Sequence, residues 1–188
     1  HGETRHNQQG RAIGHNPEGL NPRGRRQALR TALALVPLAP TALYTSPLPR
    51  ALETATIISR RLGIELCTRD NLKEADIGLL DGLTIEEMWQ QHPDFMRTWS
   101  QHASTAVMPA GESILQVQER AWETIEEIQS LHPEETVAVV SHSFTIQGLV
   151  CRFLGMPLDE FQRLRLDPTS ITLVELNQGV PTLIRYND

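Results

Sequence analysis

The sequence predicts an α/β fold with a largely parallel sheet, and three observations carry that reading. Short, β-rich apolar runs at 42–45 (ALYT), 64–67 (IELC) and 137–141 (VAVVS) alternate with stretches of helical periodicity. Two of these runs, 42–45 and 137–141, lead straight into helix-start signals, as strands of a parallel α/β sheet do. The 188 residues fit one domain, 1–188, and no repeat or long polar tract divides them. Two further strands are expected at 171–176 (ITLVEL) and 182–186 (TLIRY).

The helices follow from period and punctuation. A first helix is expected from Gly24 to Val36, stopped by Pro37. A second begins after Ser46, whose hydroxyl is placed to cap it, with Pro47 at the first helical position and Gly63 near its end. The clearest spans Ser113 to Leu131, because Ile114, Val117, Ala121, Ile125 and Ile128 recur at three- and four-residue steps; Pro133 closes it. The last runs from Thr145 to Leu154, ahead of Gly155 and Pro157. Between them, 82–109 reads as a lid-like excursion with weak periodicity around Trp89, Phe95, Met96, Trp99 and His102. It is either a roof over a pocket, suited to a phosphoester with an organic body, or a satellite core cluster.

Composition excludes several classes. Net charge is -6, and Arg23, Arg25, Arg26 and Arg30 share one amphipathic stretch without interleaved aromatics, so nucleic acid is not an expected partner. Cys67 and Cys151 are too few for a disulfide framework or a zinc site and fit a reducing compartment. No apolar run approaches the roughly 18–20 residues needed to span a bilayer and no leader is recognisable, so a cytoplasmic protein without a membrane partner is expected. No two histidines stand at i, i+4 with a nearby glutamate, so no metal site is expected. Edge strands leave a homodimer possible. The chain starts at His1 without Met and stops at Asn187-Asp188, which reads as an excerpt of a longer chain.

Three places can carry chemistry. In ALYTSPLPRA, Arg50 falls in the opening turn of a helix, where free N–H groups and the helix dipole suit a phosphate; a solvated surface arginine would look the same. In VAVVSHSF, His142 leaves an apolar strand and Ser143 is placed to cap the next helix; a structural histidine would look the same. HGETRHN sets Gly2, Thr4 and Asn7 beside the imidazole of His1. A frayed terminus would look the same.

The combination is more specific than its parts. HGETxxN, LNPRGRRQA, YTSPLPRALETA, LKEADIGLLDG, PAGES and VVSHS, in that order, resemble the histidine phosphatase superfamily from end to end. That resemblance implies a three-layer α/β/α, phosphoglycerate-mutase-like fold with a mostly parallel central sheet. It implies a metal-independent, cofactor-free phosphatase whose partner is a small phosphomonoester. His1 matches the nucleophile that becomes phosphorylated, Arg50 the phosphate clamp and His142 the second histidine that donates to phosphoryl oxygens. Glu74 matches the acid/base carboxylate, a role that Asp76 could share. Gly2, Thr4, Asn7, Gly14 and Ser143 match the phosphate and substrate lining.

The chain departs from the family pattern in three places: the strand and arginine that normally precede the nucleophile are missing, Ser143 replaces a usual glycine, and YND begins a longer ending. The alternatives are a phosphoglycerate mutase, whose longer basic insertion is reduced here to Arg97 within 82–109, and a silent phosphate-binding module.

Overall fold

The structure, a computed structural model, describes residues 1–177 and 180–188. In chain order it contains α1 (Arg5–Gln8), α2 (Pro22–Leu35), β1 (Ala42–Thr45), α3 (Pro49–Leu62), β2 (Leu66–Thr68), α4 (Ile85–Gln91), α5 (Pro93–Gln101), α6 (Ile114–Leu131), β3 (Val137–Val140), α7 (Ser143–Phe153), β4 (Leu173–Asn177) and β5 (Val180–Arg185). β2, β1 and β3 form a parallel sheet in that order, with Tyr44 opposite both Cys67 and Val139. One face buries Leu43 and Val140 against Ala32, Ala51, Ala55 and Ile58 of α2 and α3. The other buries Tyr44 with Leu72 and with Ile128 of α6. Helices on both faces of a parallel sheet make the expected three layers.

Several boundaries differ from the sequence reading. β4 and β5 pair antiparallel as a separate hairpin and are not hydrogen-bonded to the parallel sheet. The second strand pairs over 66–68 rather than 64–67, because Ile64 packs against the α2–α3 core before the ladder starts. Asn21 caps α2 by accepting from the N–H of Gly24, which moves that start back to Pro22. The second helix starts at Pro49, not after Ser46. Leu48 precedes a proline and is held extended (φ -62°, ψ 136°), so Pro49 takes the first helical position. Ser46 Oγ accepts from the N–H of Leu48 and so caps the turn before the helix. Gly63 ends α3 in the left-handed region (φ 70°) that glycine enters without strain.

The excursion 82–109 is a helical pair, α4 and α5. Thr84 and Glu87 form a reciprocal capping box on α4. Met88 and Met96 are buried with Ala75, Ile77, Val117 and Phe161, so the segment packs into a core it shares with α6 and the Glu74 loop. Trp99 meets Phe95, Phe144 and Phe161 at 5.6–5.9 Å between ring centroids. Trp89 is exposed and His102 lies exposed at the end of α5. No helix among the described residues is long and apolar enough to cross a membrane.

α6 is the longest helix, and its N-terminus carries a full capping box in which Ser113 and Gln116 satisfy each other's backbone N–H groups. Replacing Ser113 with Ala removes the acceptor of the Gln116 N–H in the first turn of α6. We expect a loss of about 1 kcal/mol in urea unfolding with an unchanged m value.

Candidate active site

The C-terminal ends of β1 and β3 and the segment 1–16 bring four ionisable groups together. His142 follows β3 as the N-cap residue of α7, and its ring centroid lies 5.0 Å from that of His1. Arg50, in the first turn of α3, is fully buried and donates from Nε to Nε2 of His1 at 3.3 Å. Glu74 lies in the loop that follows β2 and is also buried. His1, Arg50, Glu74 and His142, distant in sequence, are thus neighbours. Gly2 and Gly14 meet them through their carbonyls, on His1 and Arg50 respectively, while Thr4 and Asn7 pair with each other just beyond Gly2 and Glu3.

The ring of His1 is oriented by its own chain. Nδ1 lies 2.8 Å from the carbonyl oxygen of Gly2. A carbonyl only accepts, so Nδ1 carries the proton and Nε2 keeps its lone pair, a tautomer assigned from the hydrogen bonds. The same tautomer lets Nε2 accept from Arg50. The N–H of Gly2 donates to Thr54 Oγ1 at 3.0 Å, and Thr54 Oγ1 donates to the carbonyl of Arg50 at 2.7 Å. One turn of α3 therefore holds both the segment that carries His1 and the arginine beside it.

Residues 2–4 lie against α2. Gln27 accepts from the N–H of Glu3, and Asn21 donates to the Glu3 carboxylate and to the Thr4 carbonyl. The approach requires glycine on both sides: a Cβ on Gly24 would sit 2.2 Å from the Glu3 carbonyl oxygen, and one on Gly2 would sit 2.5 Å from that of Gly24. Thr4 then caps α1 in a reciprocal box with Asn7, whose Oδ1 accepts from the backbone and hydroxyl of Thr4. Asn7 is exposed.

His142 is buried, and burial, reinforced by the charge of Arg50, holds its pKa well below the ordinary imidazole value, so it is neutral near pH 7. Its Nε2 lies 2.8 Å from Ser46 Oγ, which already accepts from the N–H of Leu48. The hydroxyl proton is thus available to Nε2, and Nδ1–H becomes the ring's remaining donor; Nδ1 has no partner among the described residues. Ser46 is a site residue that the sequence reading treated only as a helix cap. Ser143 is likewise not a cap: it is the exposed first residue of α7, and the extended backbone of His142 supplies the helix start.

Glu74 accepts from the N–H of Ala75 at 2.9 Å and from that of Phe144 at 3.3 Å. Burial raises its pKa against the opposing pull of those N–H groups and of Arg50. Its loop is fixed by Arg120 of α6, which donates to the carbonyls of Asn71, Lys73 and Glu74 and pairs through Nε and Nη2 with Glu112. Glu112 in turn accepts from the N–H of Asp76. Arg120 escaped the sequence reading because one arginine on an amphipathic helix carries no signal of its own. Asp76 turns its carboxylate to the N–H of Gly78. Among the described residues no cluster of three or more His, Cys, Asp or Glu is arranged to hold a metal ion.

This fold and this pairing of histidines around a buried arginine define a phosphoester-handling enzyme class, and the chain belongs to the histidine phosphatase superfamily (branch 1), whose model matches residues 1–188. Membership makes it an enzyme of phosphatase or mutase type. It is 29% identical to "Phosphoserine phosphatase 1" of Hydrogenobacter thermophilus over all of this chain and 89% of that protein. It is 31% identical to "Probable phosphoglycerate mutase GpmB" of Cronobacter sakazakii over 95% of this chain and 83% of that protein. Among solved structures, YhfR of Bacillus stearothermophilus superposes with a TM-score of 0.93 at 31% identity, covering 100% of this chain and 94% of that one. A mycobacterial glucosyl-3-phosphoglycerate phosphatase does so at 0.91 and 26%, covering 100% and 95%.

The glycine pair at 2 and 24 gives a direct test of how the site is held. Gly24→Ala forces the 2–4 segment off α2, because the clashing atoms are backbone rather than flexible side chain. We expect it to cost about 1–3 kcal/mol in chemical denaturation and to lower turnover in the protein that remains folded.

Proposed function

We propose that the protein is a metal-independent phosphatase that hydrolyses a small phosphomonoester through a phosphohistidine at Nε2 of His1. The observation that carries this reading is the fixed tautomer: the Gly2 carbonyl takes the Nδ1 proton, leaving the Nε2 lone pair beside the buried Arg50 guanidinium. A substrate phosphate seated there would meet donors from Arg50 and from Nδ1–H of His142, with Asn7 added by the family resemblance, to match the equatorial oxygens of a loose phosphoryl transition state.

In the first step Nε2 of His1 attacks phosphorus, the bond to the leaving oxygen breaks, and Glu74 gives that oxygen its proton. In the second, the Glu74 carboxylate takes a proton from water, whose oxygen attacks phosphorus. The N–P bond breaks, phosphate departs, and the lone pair returns to Nε2. A raised carboxyl pKa is what a group that begins protonated requires. Glu74 fits better than Asp76, whose carboxylate is half exposed and committed to the Gly78 turn.

Water is the favoured acceptor. Arg97 of α5 is paired with Asp94, and Arg11 is paired with Glu87, which leaves little free positive charge beside the excursion for a second substrate carboxylate. The relatives named as phosphatases of phosphoserine and of glucosyl-3-phosphoglycerate support a phosphorylated organic substrate. The GpmB-named relatives support a mutase as the second reading, in which 3-phosphoglycerate would be isomerised rather than cleaved.

The test is hydrolysis of an aryl phosphate in excess chelator, with rapid quench for acid-labile phosphate on the protein. His1→Ala should abolish both turnover and labelling; full activity in that variant would refute the assignment. Glu74→Gln should slow alkyl phosphates far more than aryl ones, by roughly 100-fold or more, since only the alkoxide needs the proton.

The pH profile carries its own sign. Glu74 must be protonated to expel an alkoxide, so kcat/KM for alkyl esters should fall as pH rises through its raised pKa, while aryl esters should lack that limb. The folded state also holds this proton above the ordinary carboxylate range, so native protein binds more protons there than unfolded chain. Stability therefore falls with rising pH across that window, and Glu74→Gln should flatten the slope in pH-dependent denaturation.

A further inference from the structure

Arg50 carries its charge with no exposure to water, and two of its three nitrogens are held by backbone rather than by a carboxylate. Nη2 donates to the carbonyl of Gly14 at 2.7 Å and Nη1 to that of Asn16 at 3.3 Å. The N–H groups of these same two residues, Gly14 and Asn16, both donate to one oxygen, Oδ2 of Asp81, at 3.3 and 3.0 Å. Asp81 lies just before Gly82, where the chain leaves the Glu74 loop for α4. Its other oxygen, Oδ1, is buried and has no hydrogen-bond partner among the described residues.

We propose that Asp81 is a positioning residue for Arg50, acting through the backbone of residues 14–16, a role that rests on the reading of Arg50 as the phosphate clamp. A loop carbonyl is a weak holder of a guanidinium unless the loop itself is pinned, because the bond then orders both partners at an entropic cost. Asp81 supplies the pin at the two residues that present the carbonyls. It also supplies charge: burial pushes the arginine's pKa down, and the carboxylates of Glu74 and Asp81 act against that shift. A carboxylate oxygen left buried and unpartnered is costly, and nearby positive charge is what offsets it.

Asp76 and Glu112 do not duplicate this arrangement. Asp76 serves the Gly78 turn, and Glu112 is spent on Arg120 and the N–H of Asp76. The link also explains why LKEADIGLLDG spans both Glu74 and Asp81: one segment carries the acid and, seven residues on, the pin for the clamp.

The experiment is an NMR and kinetic comparison of the whole chain with Asp81→Asn and Asp81→Ala. In the unliganded protein the Nε–H signal of Arg50 should be resolved and protected from exchange. It should shift and lose protection in Asp81→Asn, more so in Asp81→Ala. kcat/KM for an aryl phosphate should fall by about 10- to 100-fold, the loss expected of a displaced binding group, with orthovanadate inhibition weakened in step.

An unchanged Arg50 signal in a folded Asp81 variant overturns the proposal, whatever the activity. A responsive signal in a protein that never hydrolyses phosphoesters sustains it and instead overturns the phosphatase reading. Should both variants unfold, exchange in the native protein decides: the amides of Gly14 and Asn16 and the Nε–H of Arg50 should open together with one free energy. Independent opening overturns the link.

Discussion

Burying a guanidinium takes a full charge out of water, a cost of several kcal/mol that is recovered only when its N–H groups are met and opposite charge lies near. Arg50 sits at 0% exposure, and the rest of the site follows from meeting that demand. Its acceptors are the ring of His1 and the carbonyls of Gly14 and Asn16. Each must be held in place, and each holder is traceable: Thr54 and α2 for the His1 segment, Asp81 for the 14–16 loop. The charge of Arg50 in turn lowers the pKa of His142 and opposes the rise at Glu74.

The fold supplies the place where this can happen. Adjacent parallel strands β1 and β3 end side by side, so the residues that follow them, Ser46 and His142, meet at 2.8 Å. Ligands of open α/β sheets gather at these carboxyl ends because strands stop there and helices begin, which leaves backbone N–H groups and short loops facing one space. β1 then leads into the extended turn before α3, and the proline at 49 sets the helix start so that Arg50 lies in its first turn. A helix starting two residues earlier would carry the guanidinium about 200° around the axis.

Much of this was legible from sequence because several signals agreed. The apolar stripe of α6 and the β1 and β3 runs stand where local pattern placed them, and His1, Arg50 and His142, singled out by motif order, lie together in space. What escaped was whatever depends on pairing partners. The β4–β5 hairpin looks like two more strands of one sheet until its antiparallel register is known. Ser46 reads as a helix cap because Ser-Pro is a start signal, yet Leu48 before Pro49 cannot be helical and frees the serine for His142. Arg120, Thr54 and Asp81 act through backbone carbonyls and amides, which every residue possesses, so nothing in their identity or spacing marks them.

The electrostatics of the inner site follow from the opposed shifts. Burial drives Glu74 toward its neutral acid and His142 toward its neutral ring, so both shed charge for the same reason while Arg50 keeps its own. The pocket therefore presents one fixed positive charge and several neutral donors to an incoming dianion. A charged Glu74 would repel an incoming phosphate dianion, and a charged His142 would add a second buried cation beside Arg50. On the proposed phosphatase reading, a raised Glu74 pKa favours the protonated acid near the leaving oxygen, and a neutral His142 donates without adding a second cation to the site. On that reading binding strength is concentrated at the arginine, beside Nε2 of His1, where it would act on the transferring group rather than on the rest of the substrate.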